Sequence, residues 1–158
     1  AQKEGANITF TAMAVVGNRD GYVGVGVGSA METVPAREKA IRQAKLNVIK
    51  IRRGCGAWAA GTKTPSSIPF KSFGKCGSVE MTIMPAPLGT KLTAERKCRQ
   101  IFEFAGIKDL YVKTRGKTTT RMNLLMACYY SLKNLNNVKL SEDQAKELCL
   151  VEGKLTHE

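Results

Sequence analysis

The chain has 158 residues, 43% of them hydrophobic, which is enough for one compact core or two small ones sharing a contact. Its 25 Lys and Arg against 13 Asp and Glu leave a formal net charge of +12, far from the balance of an ordinary enzyme, and point to a polyanionic partner, nucleic acid first. Five scattered cysteines with no CxxC pair suit reduced thiols inside a cell, and neither a signal-peptide core in Ala1 to Asn7 nor a run of about 20 apolar residues is present, so a membrane partner is not expected.

In chain order, Ile8 to Val16 and Tyr22 to Gly28 read as two strands joined by Gly17, Asn18, Arg19, Asp20 and Gly21, a hairpin. Strand periodicity puts Val23, Val25 and Val27 on one face and leaves Gly24, Gly26 and Gly28 bare on the other. The bare face admits RNA backbone or another protein surface, packing being the commoner fate of strand glycines. A helix is expected from Val34 to Arg53, with Pro35 in its first turn and Thr33 as cap. Its stripe of Ala40, Ile41, Ala44 and Val48 should cover the valine face of the hairpin. Arg42, Lys45 and Arg52, with Lys39 and Arg53 beside them, then form a cationic ridge on another face. A charge run is usually a solvated face. Between Arg37 and Lys75, however, the only acid is Glu38, which favours RNA contact through Arg37, Lys39, Arg42, Lys45, Arg52, Arg53 and Lys63, with Arg19 of the hairpin turn added.

Gly54 to Pro69 is rich in Gly, Ser, Thr and Pro, breaks both periodicities and reads as a linker. Trp58 inside it reads as a hydrophobic plug against a lobe ahead of a base-stacking platform. A second lobe follows: apolar runs at Ile68 to Phe73 and Val79 to Met84, a rigid turn at Pro85 to Gly89, and a helix from Thr93 to Ala105 closed by Gly106. A strand from Ile107 to Lys113 and a helix from Arg121 to Leu135 come next, and a short amphipathic stretch from Glu142 to Leu150 is capped by Ser141 before a polar end expected to fray. Thr114 to Arg121 is a second basic cluster, where Arg115, Lys117 and Arg121 accompany hydroxyls that can donate to phosphate just ahead of a helix N-terminus.

No catalytic set emerges. The strand glycines do not make GxGxxG at a strand-to-helix turn, and no GxxxxGK[ST] loop occurs. The single histidine, His157, is penultimate, which argues against a Ser/His/Asp triad and most zinc patterns. No enzyme activity, cofactor, metal or small-molecule substrate is therefore expected. A nucleotide-dependent enzyme using the second lobe's alternating strands and helices ranks third among the readings. An independent double-stranded-RNA-binding module ranks second.

The runs GNRDGYVGVGVG (Gly17 to Gly28) and VPAREKAIRQAKLN (Val34 to Asn47) resemble the first domain of the universal small-subunit ribosomal protein S-five family. GKCGSVEMTIMPAPLGT (Gly74 to Thr90) and AGIKDLYVKTRG (Ala105 to Gly116), followed by Asn123, resemble its second domain. RRGCGAW (Arg52 to Trp58) and PAP (Pro85 to Pro87) are similar to the archaeal and eukaryotic branch. The resemblance implies an α+β chain of two small lobes. An incomplete double-stranded-RNA-binding-like domain of hairpin plus helix (1–54) and a linker (55–69) precede an α/β domain with a left-handed βαβ crossover (70–135) and a tail (136–158).

It also implies a cytoplasmic constituent of the small ribosomal subunit that binds ribosomal RNA and lies near messenger RNA. Neighbours of the S-three and S-four families are implied as partners, with roles in assembly, messenger entry and decoding fidelity. The neighbour contact is carried to Lys75, Cys76 and Gly77. Three departures stand out. The strand and basic loop that normally precede the position of Ile8 are not seen. Ser29 and Lys91 replace a usual Lys and Gly, putting a phosphate contact and a tight turn in doubt. Ala59, Ala60 and Thr62 occupy a stretch that is often cysteine-rich in archaeal relatives, so no zinc site is expected.

Overall fold

The computed structural model describes residues 5–58 and 63–155. Ala59, Ala60, Thr62 and His157, on which the expectations about zinc and catalysis rested, lie outside the described residues, as does the polar end after Leu155. The chain forms two compact units, one made of 1–16 and 24–48, the other of 17–23 and 49–158.

The first unit holds most of the hairpin, β1 (Phe10–Gly17) and β2 (Tyr22–Ala30), and the helix α1 (Thr33–Leu46). The helix covers the opposite face of β2 from the one expected. A Cβ added at Gly28 would lie 2.6 Å from the Ala36 carbonyl oxygen, one at Gly26 would lie 2.5 Å from that of Ala40, and one at Gly24 would overlap that of Ala44. The buried residues of α1 are Ala36, Ala40 and Ala44, one turn apart, so methyl-only side chains of the helix meet side-chain-free positions of the strand. Ile41 and Val48, expected in the buried stripe, are 42% and 43% exposed, because a helix this close to a sheet has room beneath it only for alanine.

The helix is also shorter than its amphipathic pattern suggested, and it begins at Glu32 as N-cap without a side-chain capping bond. It ends at Asn47, whose N–H reaches the Gln43 and Ala44 carbonyls at 3.1 and 3.2 Å and whose Nδ2 donates to the Val25 carbonyl at 3.0 Å. Past Asn47 the β-branched Val48, Ile49 and Ile51 favour extended backbone. Ile49–Lys50 (β3) pairs antiparallel with Val23 and Tyr22 of β2, and Arg52–Arg53 (β4) is strand too.

In the second unit β5 (Ser72–Cys76), β6 (Val79–Pro85), β7 (Leu92–Thr93) and β8 (Leu110–Arg115) form a sheet of order β5-β6-β8-β7, antiparallel except for the parallel β7–β8 pair. The helix α2 (Arg96–Phe104) connects the parallel pair, and α3 (Arg121–Asn134) lies across β5 and β6. Val79, Met81 and Ile83 alternate into a core with Ile101, Phe102, Leu110 and Leu132, all fully buried. Gly74 repeats the close-approach device, its missing Cβ lying 2.8 Å from the Ser131 Cα of α3. Two expectations shift here. The first strand starts at Ser72 rather than Ile68, because Ser67 and Gly54 pair backbone to backbone as an isolated bridge. The helix starts at Arg96 rather than Thr93, because Thr93 belongs to β7 and its Oγ1 donates to the Leu110 carbonyl at 2.8 Å.

The stretch read as linker and the tail both bond within this unit. Cys55 N–H reaches the Leu148 carbonyl at 2.9 Å, and β9 (Val151–Glu152) pairs antiparallel with β4. Between them α4 (Glu142–Glu147) opens with the expected Ser141 cap in a full capping box with Gln144. Arg53 is only 3% exposed. Its Nη2 donates to Asp20 Oδ1 at 2.8 Å and to the Gly153 carbonyl at 2.7 Å, and Nη1 to the Gly106 carbonyl at 3.4 Å. Asp20 Oδ1 also accepts the Leu155 N–H at 3.1 Å. One buried guanidinium thus joins the hairpin turn, β4, the end of α2 and the C-terminal segment.

Two outcomes follow from this packing. Gly26→Val should cost about 1–3 kcal/mol or more in denaturant unfolding, as overpacking of a filled site does, while Val27→Ala on the exposed side should cost little. The Arg53 hydrogen bond, and then the Leu155 N–H, hold the Asp20 carboxyl below its ordinary value of 3.8. A depressed carboxylate contributes stability that is present above its unfolded pKa and lost as pH falls through the folded one. The acid limb of the stability curve should therefore be shallower in Asp20→Asn than in the parent, as measured by urea unfolding below about pH 5.

Candidate nucleic-acid interface

Seating Ala36, Ala40 and Ala44 on the glycines turns Arg37, Lys39, Arg42 and Lys45 outward, and all four are exposed. Among the described residues none of the four is in an ion pair. Lys39 Nζ donates to the Ser29 carbonyl at 3.3 Å, so its ammonium stands at the end of β2. Lys39 and Arg42 line a shallow groove with Gly28, Ser29 and Leu46, and Arg42 and Lys45 line a second with Glu38 and Ile41. Strand glycine, exposed methylene stems and cations free of ion pairs among the described residues give a surface that phosphate backbone can approach closely.

The ridge does not extend to Arg52 and Arg53 as expected, since the helix ends before them. Arg52 Nε is 2.8 Å from Glu152 Oε1, and its Nη1 donates to the Leu135 and Val138 carbonyls at 3.2 and 2.6 Å. Arg53 is buried on Asp20 and offers no charge to solvent. Both arginines are spent on their own unit.

In the second unit the Thr-rich loop leaves β8 through Gly116, at φ +87°, and enters α3. Arg115 and Lys117 are exposed, and Thr114, Thr118 and Thr119 line a concavity with Glu95 and Arg121. Arg121 is ion-paired with Glu95, so this spot carries a carboxylate beside its cations. The first turn of α3 has no acid, and Thr120 makes no side-chain capping bond. Lys63 is exposed. Trp58 is 99% exposed, so it is no plug: the backbone bonds of Gly54, Cys55 and Gly56 hold the segment against the unit and leave the indole outside. Lys75 and Cys76 end β5 and Gly77 opens the β5–β6 turn, with Lys75 Nζ 3.4 Å from Glu80 and Cys76 Sγ 3.8 Å from Asn123 Oδ1.

One cationic group escaped the sequence reading as a set. A cavity of about 550 Å³ is lined by Arg19, Lys91, Arg99 and Lys108, with Glu103 the acid among its lining residues. Arg19 sits in left-handed backbone at φ 59°, its N–H on the Phe104 carbonyl at 2.9 Å and its guanidinium 5.6 Å from the Phe104 ring centre. Lys91 is left-handed too, at φ 62°, and keeps the tight turn that its replacement of glycine put in doubt because Asp109 Oδ1 accepts its N–H at 2.8 Å. Four positions this far apart in sequence carry no local signal. The one available clue was the lysine standing in a turn that calls for glycine.

No described helix is long and apolar enough to cross a membrane, and among the described residues no cluster of three or more His, Cys, Asp and Glu could hold a metal ion. Residues 1–52 match the family description "Ribosomal protein S5, N-terminal domain", and 74–147 match "Ribosomal protein S5, C-terminal domain". Relatives carry the name small ribosomal subunit protein uS5. That of Methanocaldococcus jannaschii is 48% identical over 97% of this chain and 70% of its own length, and that of Nanoarchaeum equitans 43% over 96% and 66%. That of Pyrobaculum aerophilum is 49% identical over 83% of this chain and 60% of its own length. The chain thus spans roughly two thirds of these relatives. With an α+β structure over both matched segments and similarity along nearly its whole length, the chain belongs to the ribosomal protein S5 family.

Proposed function

We propose that the chain binds small-subunit ribosomal RNA as a structural, non-enzymatic constituent of the small ribosomal subunit in the cytoplasm, supporting assembly, messenger entry and decoding fidelity. The observation that carries this is the outward face of α1, where Arg37, Lys39, Arg42 and Lys45 stand exposed beside a glycine strand with no ion pair among the described residues. Arg115, Lys117 and Lys63 add charge on the second unit, and the Arg19, Lys91, Arg99 and Lys108 cavity adds a concave site for an anionic group. Arg52 and Arg53 drop out of the contact set, and Arg121 contributes only against its Glu95 partner. Exposed Trp58 offers a stacking face for an unpaired base.

In this reading the first domain is of the double-stranded-RNA-binding kind and meets RNA by shape and phosphate more than by sequence. The β7–α2–β8 connection is the left-handed crossover of the second, with domain limits at 1–54 and 70–135. Lys75, Cys76 and Gly77 meet a neighbouring protein of the S-three or S-four family, and messenger RNA passes nearby. Parallel β7–β8 pairing supports a βαβ crossover, and the exposed β5–β6 turn leaves Gly77 accessible to a neighbour.

Filter binding to small-subunit ribosomal RNA tests the central point. If about 6 to 10 phosphates are neutralised, affinity should fall roughly 10³- to 10⁵-fold between 50 and 200 mM salt. Arg42→Ala and Lys45→Ala should each lower the salt slope by about one, whereas Arg53→Ala should act on thermal stability; unchanged slopes would remove α1 from the interface. Trp58 is the only tryptophan, so its fluorescence reports stacking directly. Added RNA should quench it, and an unaltered spectrum at saturation would assign Trp58 another role.

A further inference from the structure

The five cysteines fall into different surroundings. Cys98 and Cys128 are fully buried, whereas Cys55, Cys76 and Cys149 are partly exposed. Cys55 and Cys149 are brought together by backbone bonds. Leu148, next to Cys149, accepts both the Cys55 N–H at 2.9 Å and its S–H at 3.4 Å, which sets the two thiols beside one another.

Cys149 occupies an unusual place for a side chain. It follows α4 at φ 50°, with its N–H on the Lys146 carbonyl at 3.2 Å and the Leu150 N–H on the Ala145 carbonyl at 3.0 Å. These two bonds define a Schellman cap whose left-handed residue is ordinarily glycine. A cysteine there carries backbone strain that glycine would avoid, and what its side chain reaches is the Cys55 thiol. Neither cysteine lies within the residues matched by the two family descriptions, 1–52 and 74–147.

We propose that Cys55 and Cys149 are a thiol pair that closes to a disulfide under peroxide, fastening the C-terminal cap of α4 to the segment after β4. The Cys149 sulfur attacks one oxygen of hydrogen peroxide, giving a sulfenic acid and water. Cys55 then attacks that sulfur, forming the S–S bond and expelling the second oxygen as water, so that peroxide takes up the two electrons and both thiol protons. Burial, and next the neighbouring Cys149 thiol, push the Cys55 thiol up to about 11, which disfavours Cys55 as the thiol of first attack. Cys98 and Cys128 serve as an internal control, since burial shields them from the oxidant.

The test treats the full chain with hydrogen peroxide, blocks remaining thiols with a maleimide, and maps peptides by mass spectrometry. Cys55 and Cys149 should appear as one cross-linked species lighter by two hydrogens, with Cys76 open to maleimide and Cys98 and Cys128 labelled only after unfolding. Recovery of Cys55 and Cys149 both labelled after peroxide treatment would overturn the proposal. Cys149→Gly should fold with a melting temperature equal to or above the parent's, because glycine suits the cap, and should lose the cross-link while Cys55 takes up maleimide. A Cys55 cross-link that persists in this variant through another cysteine would equally refute the assignment.

Discussion

The seating of a helix backbone directly on a strand decides much of this protein's surface. With glycine at alternate positions of β2 and alanine at each turn of α1, neither element has a side chain longer than a methyl group between them. Dispersion contacts between tightly apposed backbones then replace the interdigitated side chains of an ordinary core. Because the buried line of α1 is alanine alone, its larger residues must point outward, Arg37, Lys39, Arg42 and Lys45 among them. A helix packed through Ile41 and Val48 would have rotated the cations toward the sheet edges. The same device recurs where Gly74 admits α3 to within contact of β5.

The second unit depends on a different kind of constraint. Its hairpin turn, its β4 strand and its C-terminal strand converge on one buried arginine, with carbonyls of Gly106 and Gly153 and the Asp20 carboxylate as acceptors. Removing Asp20 alone would leave the buried Arg53 charge without its carboxylate, which costs more than the intact pair contributes. That asymmetry makes the network a specificity device. It ties residues 20, 53, 106, 153 and 155 to one arrangement although they are scattered across the chain.

The two constraints divide the positive charge into two classes. Arg52, Arg53 and Arg121 have carboxylate partners within the protein, while Arg37, Lys39, Arg42 and Lys45 have none among the described residues. A net charge of +12 therefore understates how uneven the surface is. Unpaired cations can displace the counterions condensed on a phosphate backbone, whereas cations already held by a carboxylate do so less readily. Sorting cations by partner rather than by position along the chain is what separates the proposed interface from the framework here.

Local chemistry was legible from residues alone. Asp20 and Gly21 at the hairpin turn, the Ser141 cap, the apolar run from Val79 to Met84, and the excess of cations between Arg37 and Lys75 all act over a few residues, where propensity and periodicity are strong. So was the family, because four ordered motifs were present. Other features were not legible. The helix face that packs, the end of α1 at Asn47, the two-residue strand β7, the withdrawal of Arg52 and Arg53 from solvent, and the assembly of Arg19, Lys91, Arg99 and Lys108 around one cavity each depend on partners distant in sequence. The sequence by itself determined the charge, the alternation of elements and the kind of partner. Only the tertiary structure decided which cations remain free to meet that partner, because an ion pair or a backbone contact forms between residues whose separation along the chain carries no information about their distance in space.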